Sequence, residues 1–467
     1  MNALDPVTVA ESTIKTAEKM GAYQAEVLAY SLEDAVTRFS RKSVNQSAVY
    51  SDTGIYVRIM AAPGKLATSF TRRVDEKSVV DTIRDTLALA KLSTENEHLR
   101  SFAPPRKPPR IPQVYVKRTA QTTDETRGED AKIALEAYGK HDGKISHVTG
   151  TITTRIANTA IYNSLGLDVS HRYTGASVVE VILAESNGST GIGFSSYSSN
   201  DYHQLNFEKV TEEAAAEAIT GLNPKELKLG SYDVILEPDA AGDCLGTFVQ
   251  QGFSVQRLHS YVKLGAKCTD EQLTVVDDPQ NTDTLMATPF DTEGTTTKRL
   301  TLIERGFAKA QCFDRISASR AGKKTTGHAL FQHDLTYVSK FFPGWVHLPA
   351  NQIVKPGNAG FDELIAESKK AVIVKRLMYA GLPSGVSESD VIQAHTMGTW
   401  LVENGEIKCA LPSLRISESL AKMMRRIDRI GDRKTVKRIG CINMPAIKVK
   451  DVRFTETASL SVPEGLP

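Results

Sequence analysis

At the start of the chain apolar positions recur at helical spacing: Val7, Ala10, Ile14 and Ala17 share one face behind Asp5 and Pro6 and ahead of Gly21. A capping aspartate, a proline in the first turn and a glycine stop predict a helix there. Alternation then replaces the helical period. Runs at 25–31, 35–41 and 54–61 read as strands joined by short polar turns. A second helix is predicted over 77–91, where Val79, Ile83, Leu87 and Ala90 fall on one face behind Asp75. This order predicts an α+β fold that opens with an antiparallel sheet carrying helices on one face.

Prolines dominate residues 103–112, which excludes helix and central strand for want of backbone donors and predicts an extended surface connector. A helix over 124–138, β-rich runs over 145–184, a polar loop at 185–191 and a helix over 207–220 complete the first half. The loop lacks the lysine that would make it a phosphate cradle. A boundary within 221–227 divides the chain into an α+β domain at 1–225 and a β-rich domain at 226–467. In the second domain Glu403 and Glu406 flank Asn404-Gly405, a dipeptide suited to the left-handed conformations of a two-residue hairpin turn.

Composition adds class and compartment. The 467 residues, 40% of them hydrophobic, suffice for two ordinary cores. A net charge of +2 from 57 basic and 55 acidic side chains gives no reason to expect nucleic acid. Residues 1–6 have neither the basic nor the apolar region of a signal peptide, and no segment approaches the apolar run of about 20 residues that a membrane helix needs. Five cysteines without C-x-x-C spacing point to free thiols in a reducing compartment, so a cytoplasmic protein with no membrane partner is expected. Lys422, Arg425, Arg426, Arg429, Arg433, Lys434, Lys437 and Arg438 crowd one region, with Met423, Met424, Ile427 and Ile430 interleaved. That spacing predicts an amphipathic helix with a solvated basic face. It has none of the aromatics that nucleic-acid stacking requires.

Two stretches carry more information. Pro289-Phe290-Asp291-Thr292-Glu293-Gly294, with Leu302-Ile303-Glu304-Arg305-Gly306-Phe307 behind it, and Trp400-Leu401-Val402-Glu403-Asn404-Gly405-Glu406-Ile407 both resemble the C-terminal half of the TldD/PmbA family. Gly54-Ile55-Tyr56-Val57-Arg58 with Pro63-Gly64-Lys65 is similar to the family's glycine-arginine strand and the turn after it. Tyr232–Pro238, Thr274–Pro279 and Leu348-Pro349-Ala350-Asn351 with Pro356-Gly357 match further family segments in order. The resemblance implies an α+β N-terminal domain and a β-rich C-terminal domain. It also implies a peptidase built from two subunit types, of which only the TldD type bears zinc on a His-Glu-x-x-x-His helix.

That helix places two imidazoles facing one way and a glutamate able to polarise zinc-bound water. The corresponding stretch, residues 239–251, holds no histidine, and neither Val255 nor Ser254, the neighbours four and five residues before His259, can ligate zinc. The chain therefore resembles the PmbA (TldE) type. No catalytic, cofactor-binding or metal-ligating residue is assigned to it, and zinc is expected in a TldD-type partner subunit acting on unfolded peptide. Cys441 reads as a buried small hydrophobe. The family-signature residues are Asp291, Glu293, Gly294, Glu403, Asn404 and Gly405. Asp291 and Glu293 share one face of an extended strand, which suits acid–base or cation chemistry. With no nucleophile beside them they read as capping a turn and pairing with Lys298, Arg299 or Arg305, while Glu403 and Glu406 read as exposed hairpin residues. Residues 387–395, ending at His395, depart from the family's usual text. Two other readings stay open: a stand-alone or homo-oligomeric peptide- or protein-binding protein, and a peptidase with a metal site rebuilt from His259, His395, Cys268 or Cys441.

Overall fold

The computed structural model describes residues 5–111, 114–138, 140, 143–254, 262–331, 345–381, 390–435, 437–439 and 442–458. His259, Cys441 and residues 387–389 lie outside them.

Helix α1 (Pro6–Lys19) starts as predicted, with the Val7 amide donating to the Asp5 carboxylate. It leads into the long hairpin of β1 (Gln24–Ser40) and β2 (Ser43–Ala62). Two strands and a turn were expected where β1 runs unbroken. The polar residues 33–34 need no turn, because Glu33 faces solvent and Asp34 accepts from Arg155 of the next strand through two 2.7 Å hydrogen bonds. The chain continues through β3 (Lys65–Thr71), α2 (Glu76–Leu92), α3 (Lys117–Ala120), α4 (Asp124–Leu135), β4 (Ile145–Asn163), β5 (Asp168–Ser186), β6 (Ser189–Ser199) and α5 (Phe207–Thr220). Residues 104–111 between α2 and α3 have no secondary structure and are largely exposed. The polar loop expected at 185–191 is instead a tight hairpin: β5 and β6 pair up to Ser186 and Ser189, and Asn187 and Gly188 take φ of 51° and 78°. This is the geometry of a two-residue turn whose twist matches the strands.

The six strands form one antiparallel sheet in the order β3-β2-β1-β4-β5-β6. Helices α1 and α2 bury Ile14, Ile83 and Leu87 against Val27, Ile55 and Ile59. Helix α5 buries Val210 and Ala214 against Val178 and Ile182, with α4 alongside. Each fully buried aliphatic side chain here contributes about 1.5–3 kcal/mol of transfer free energy. The helices of this half lie on one face. On the other, Leu28, Ile161 and Val169 pack with Phe290 from the second half.

The second half holds β7 (Gly230–Leu236), α6 (Pro238–Phe253), β8 (Val275–Asp277), β9 (Leu300–Glu304), β10 (Phe307–Ala308), α7 (Arg315–Arg320), β11 (Ala329–Phe331), β12 (Trp345–His347), β13 (Gln352–Val354) and α8 (Phe361–Ala366). It ends with β14 (Lys370–Gly381), β15 (Val391–Glu403), β16 (Glu406–Ala410), β17 (Ser413–Ser419), α9 (Leu420–Arg425), β18 (Ile427–Ile430), β19 (Lys437–Ile439), β20 (Ile442–Met444) and β21 (Ile447–Ala458). Strands β14, β7, β21, β17 and β15 pair in sequence, and β15 pairs back to β14, so their hydrogen bonding closes on itself. Closure removes the exposed strand edges an open sheet would present. Helix α6 packs against this ring through Cys244, Leu245, Phe248 and Val249, all at most 1% exposed. A smaller sheet runs β10-β9-β8-β13-β20-β19.

The basic C-terminal stretch is not the single amphipathic helix its spacing predicts. Helix α9 ends at Arg425, and Ile427–Ile430 instead forms β18 against β21. Strand pairing with a completed sheet outweighs local helix preference. Three of its charges are engaged: Arg426 with Asp451 at 2.9 Å, Arg429 with Glu367 at 2.8 Å and Lys437 with Asp239 at 2.8 Å. Among the described residues no helix is long and apolar enough to cross a membrane.

Candidate functional site

The loop Asp291–Gly294 is organised by its aspartate. Asp291 is 2% exposed; its Oδ1 accepts the amides of Glu293 (3.0 Å) and Thr295 (2.9 Å), and its Oδ2 accepts the Ala329 amide (3.0 Å). Burial pushes its carboxyl upward, as does the neighbouring Glu293, while the three donors favour the ionised form. Gly294 completes the turn at φ 70°, and a Cβ on it would lie 2.2 Å from Leu167 Cδ2.

Glu293 points into the seam between the halves. Its Oε2 accepts the Arg315 amide at 2.9 Å, and its Oε1 lies 3.9 Å from an Arg58 guanidinium nitrogen. The same nitrogen donates to Glu26 Oε1 at 2.6 Å, and the guanidinium lies 5.3 Å from the Phe102 ring centroid. Arg315 in turn donates to the carbonyls of Ser101 and Phe102. Burial raises both acids, Glu293 to about 7, with Arg58 opposing the rise. The glycine-arginine strand and the Asp-x-Glu-Gly loop are therefore two halves of one buried joint. The cationic partner expected among Lys298, Arg299 and Arg305 is Arg58 instead, and Arg299 lies 3.6 Å from Asp278. Local spacing could not reveal a partner more than 200 positions away. The signal was present only as two separate motifs.

Beside this joint lies a cavity of about 60 Å³ that both halves line. Strands β4 and β5 contribute Thr159, Ile161, His171 and Tyr173, and the second half contributes residues 286–288, 290–292, Leu330, Ala350 and Asn351. His171 Nε2 lies 3.0 Å from the Ala287 carbonyl, and burial pushes its imidazole down to about 4. The neutral ring thus carries its proton on Nε2 and donates it to that carbonyl. Thr292 is 7% exposed, and its hydroxyl has no hydrogen-bond partner among the described residues. Behind the wall, Asp277 Oδ1 accepts the Asn351 amide at 2.7 Å, and its Oδ2 lies 2.9 Å from His328 Nε2.

Helix α6 occupies the position where the zinc helix of TldD-type relatives is expected. Its buried residues, including Ala240, Ala241, Cys244, Leu245 and Phe248, surround it with apolar contacts. Asp239 is held by Lys437. Asp243 is raised to about 7 by burial and by Asp239, with Arg376 opposing. Among the described residues no three His, Cys, Asp or Glu side chains lie close enough to hold a metal ion. Cys244, Cys268 and Cys312 are buried thiols pushed up by desolvation, Cys268 to about 11, and are poor nucleophiles. His395 sits within β15 between Met378 of β14 and Arg415 of β17.

The second signature lies elsewhere. Asn404 and Gly405 form the two-residue turn between β15 and β16, with φ of 52° and 77°, and their amides donate to the carbonyls of Lys369 and Ser368. Glu403 pairs with Lys370 at 3.1 Å on the surface. The contacts of this turn share no residue with those of Asp291, so the six signature residues mark two structural devices and not one centre.

Two family models match: the PmbA/TldA metallopeptidase central domain over residues 117–222 and its C-terminal domain over residues 229–456. An uncharacterised protein of Methanocaldococcus jannaschii is 26% identical over 360 residues, covering 76% of this chain and 80% of its own. The metalloprotease PmbA of Escherichia coli O157:H7 is 25% identical over 347 residues, 72% of each chain. Among solved structures, TldE from Thermococcus kodakarensis superposes with a TM-score of 0.81 at 20% identity, covering 96% of this chain and all of that one. A Thermotoga maritima protein gives 0.83 at 22% identity over 96% of this chain and 99% of its own. At those identities the structural likeness speaks for the fold. Together with the two domain matches, it shows that the chain belongs to the PmbA/TldD metallopeptidase family.

Proposed function

We propose that this chain is the metal-free, TldE-like subunit of a two-chain peptidase, pairing with a zinc-bearing TldD-type chain that hydrolyses unstructured peptide. The observation that carries the reading is helix α6. It stands where the zinc helix is expected, yet it has no imidazole and its two aspartates face Lys437 and Arg376. In the complex the partner's zinc would supply the activated water. This chain would wall the substrate chamber, hold extended peptide and exclude bulk solvent. Compartment, as the cysteine usage suggests, would be the cytoplasm.

Mixing tests the proposal. The purified chain is expected to leave an unstructured reporter peptide uncut, a TldD-type chain from the same source to cut it slowly or not at all, and the mixture to cut it in a chelator-sensitive way. Cleavage by this chain alone overturns the reading. Failure of the two chains to associate favours the alternative, a stand-alone peptide-binding protein.

A further inference from the structure

The proline-rich segment between α2 and α3 is stiffer and longer than the gap it bridges requires. Prolines at 104, 105, 108, 109 and 112 hold their own φ at about −65° and bias Ala103, Lys107 and Ile111 before them towards extended backbone, so only Arg106 and Arg110 escape both restraints. Such a run favours polyproline II, a helix without internal hydrogen bonds, and the backbone from Pro104 to Ile111 makes none among the described residues. Both ends are fastened: the Ala103 carbonyl accepts from Asn163 Nδ2 at 2.8 Å, and the Val114 carbonyl accepts the Thr174 amide at 2.9 Å. Thr174 pairs with Ile156 of β4, and Asn163 ends that strand, so the anchors stand about 23 Å apart along it. Polyproline II from 103 to 114 reaches about 34 Å.

Between the anchors the side chains face solvent. Pro104, Pro105, Arg106, Lys107, Pro109 and Arg110 are exposed, and Pro108 is half-buried. Arg106, Lys107 and Arg110 make no ion pair or hydrogen bond among the described residues. At about three residues per turn, Pro105 and Pro108 fall on one edge of the helix and Lys107 and Arg110 on another. The pattern is Pro-x-x-Pro with a cation two places beyond the second proline. Prolines so spaced form a ridge that fits an aromatic-lined groove, and their preset backbone loses little entropy on docking. The unpaired cations call for carboxylates at the rim of that groove. Nucleic acid would meet the cations and leave the ridge unused, since the segment has no aromatic ring to stack on a base.

We propose that residues 104–110 are a docking ligand for a second protein, one whose groove is floored by aromatic rings and rimmed by carboxylates. The site is separate from the seam cavity and from α6, so it does not depend on the subunit reading. Its near end is tied to the joint, where Arg315 donates to the Ser101 and Phe102 carbonyls, and a docked protein would therefore sit beside the seam.

The test is isothermal titration calorimetry of the purified full chain with a panel of isolated SH3 domains whose aromatic grooves carry acidic rims, each compared with a version whose rim carboxylates are neutralised. Saturable one-to-one binding is expected, weakening as salt is raised. Pro105→Ala with Pro108→Ala, Arg110→Glu, and neutralisation of the rim should each weaken it roughly tenfold or more. Arg110 and Pro105 are exposed, so Arg110→Glu and Pro105→Ala alone should melt with wild type and keep the test sound should the half-buried Pro108 matter to folding. No binding by any domain of the panel overturns the proposal. So does binding that survives both Pro105→Ala and Arg110→Glu.

Discussion

Arg58 shows how a single side chain opposes the effect of burial on its neighbours. It stands between Glu26 and Glu293, and all three are at most 3% exposed. Removing the cation leaves Glu293 buried without its counter-charge and Glu26 with Arg315 alone, a loss of about 3–5 kcal/mol in comparable buried pairs. Arg58→Met should lower the stability of the chain by that order in urea unfolding, and an unchanged midpoint contradicts the joint. Glu180 is a simpler titration. It is 1% exposed, accepts from the Thr211 hydroxyl at 2.9 Å through one oxygen and has no partner for the other among the described residues. Burial raises its pKa from 4.5 to about 7. The folded chain therefore holds this proton more tightly than the unfolded chain. The stability this group lends is complete below about pH 4.5 and is lost as pH rises through about 7. Glu180→Gln should gain about 1–3 kcal/mol on wild type at pH 8 and nothing at pH 4, read from urea midpoints across that range. A difference independent of pH contradicts the assignment.

Among elements, those defined by short-range chemistry were readable from the sequence. Helix α5 spans Phe207–Thr220 as its periodicity predicts, and Asn404-Gly405 makes the turn its composition demands. What failed had its cause at long range. The continuity of β1 depends on Arg155, which lies 121 residues beyond Asp34. The strand at Ile427–Ile430 depends on β21, and the meaning of Asp-x-Glu-Gly depends on Arg58. The motif was visible, but its partner was not. Glycine supplies another hidden contact. A Cβ on Gly193 of β6 would sit 1.8 Å from the Ala214 carbonyl oxygen of α5, so the helix lies directly on the strand's backbone. Gly193→Ala must push α5 off the sheet and should cost about 3 kcal/mol or more. Thermal melting checks this, and a melting temperature within a degree or two of wild type would show that the helix accommodates the methyl.

For the molecule entire, contacts at several places besides the Arg58–Glu293 joint bind the halves. Glu217 of α5 meets Lys375 of β14 at 2.6 Å, and Arg376 donates to the Phe194 carbonyl at 2.9 Å with its guanidinium 3.4 Å from the Phe194 ring centroid. Arg315 reaches Ser101 and Phe102, and the cavity wall joins His171 to Ala287. Such a seam suits the rigid chamber wall proposed for this chain. On that proposal the chain shapes and holds substrate, and the hydrolytic step belongs to a second chain. The most direct test is the zinc stoichiometry of the purified chain and of its complex with a TldD-type chain, by elemental analysis after dialysis without chelator. The account predicts no stoichiometric zinc in this chain and one zinc for each pair of chains in the complex. One zinc for each copy of this chain alone would contradict it.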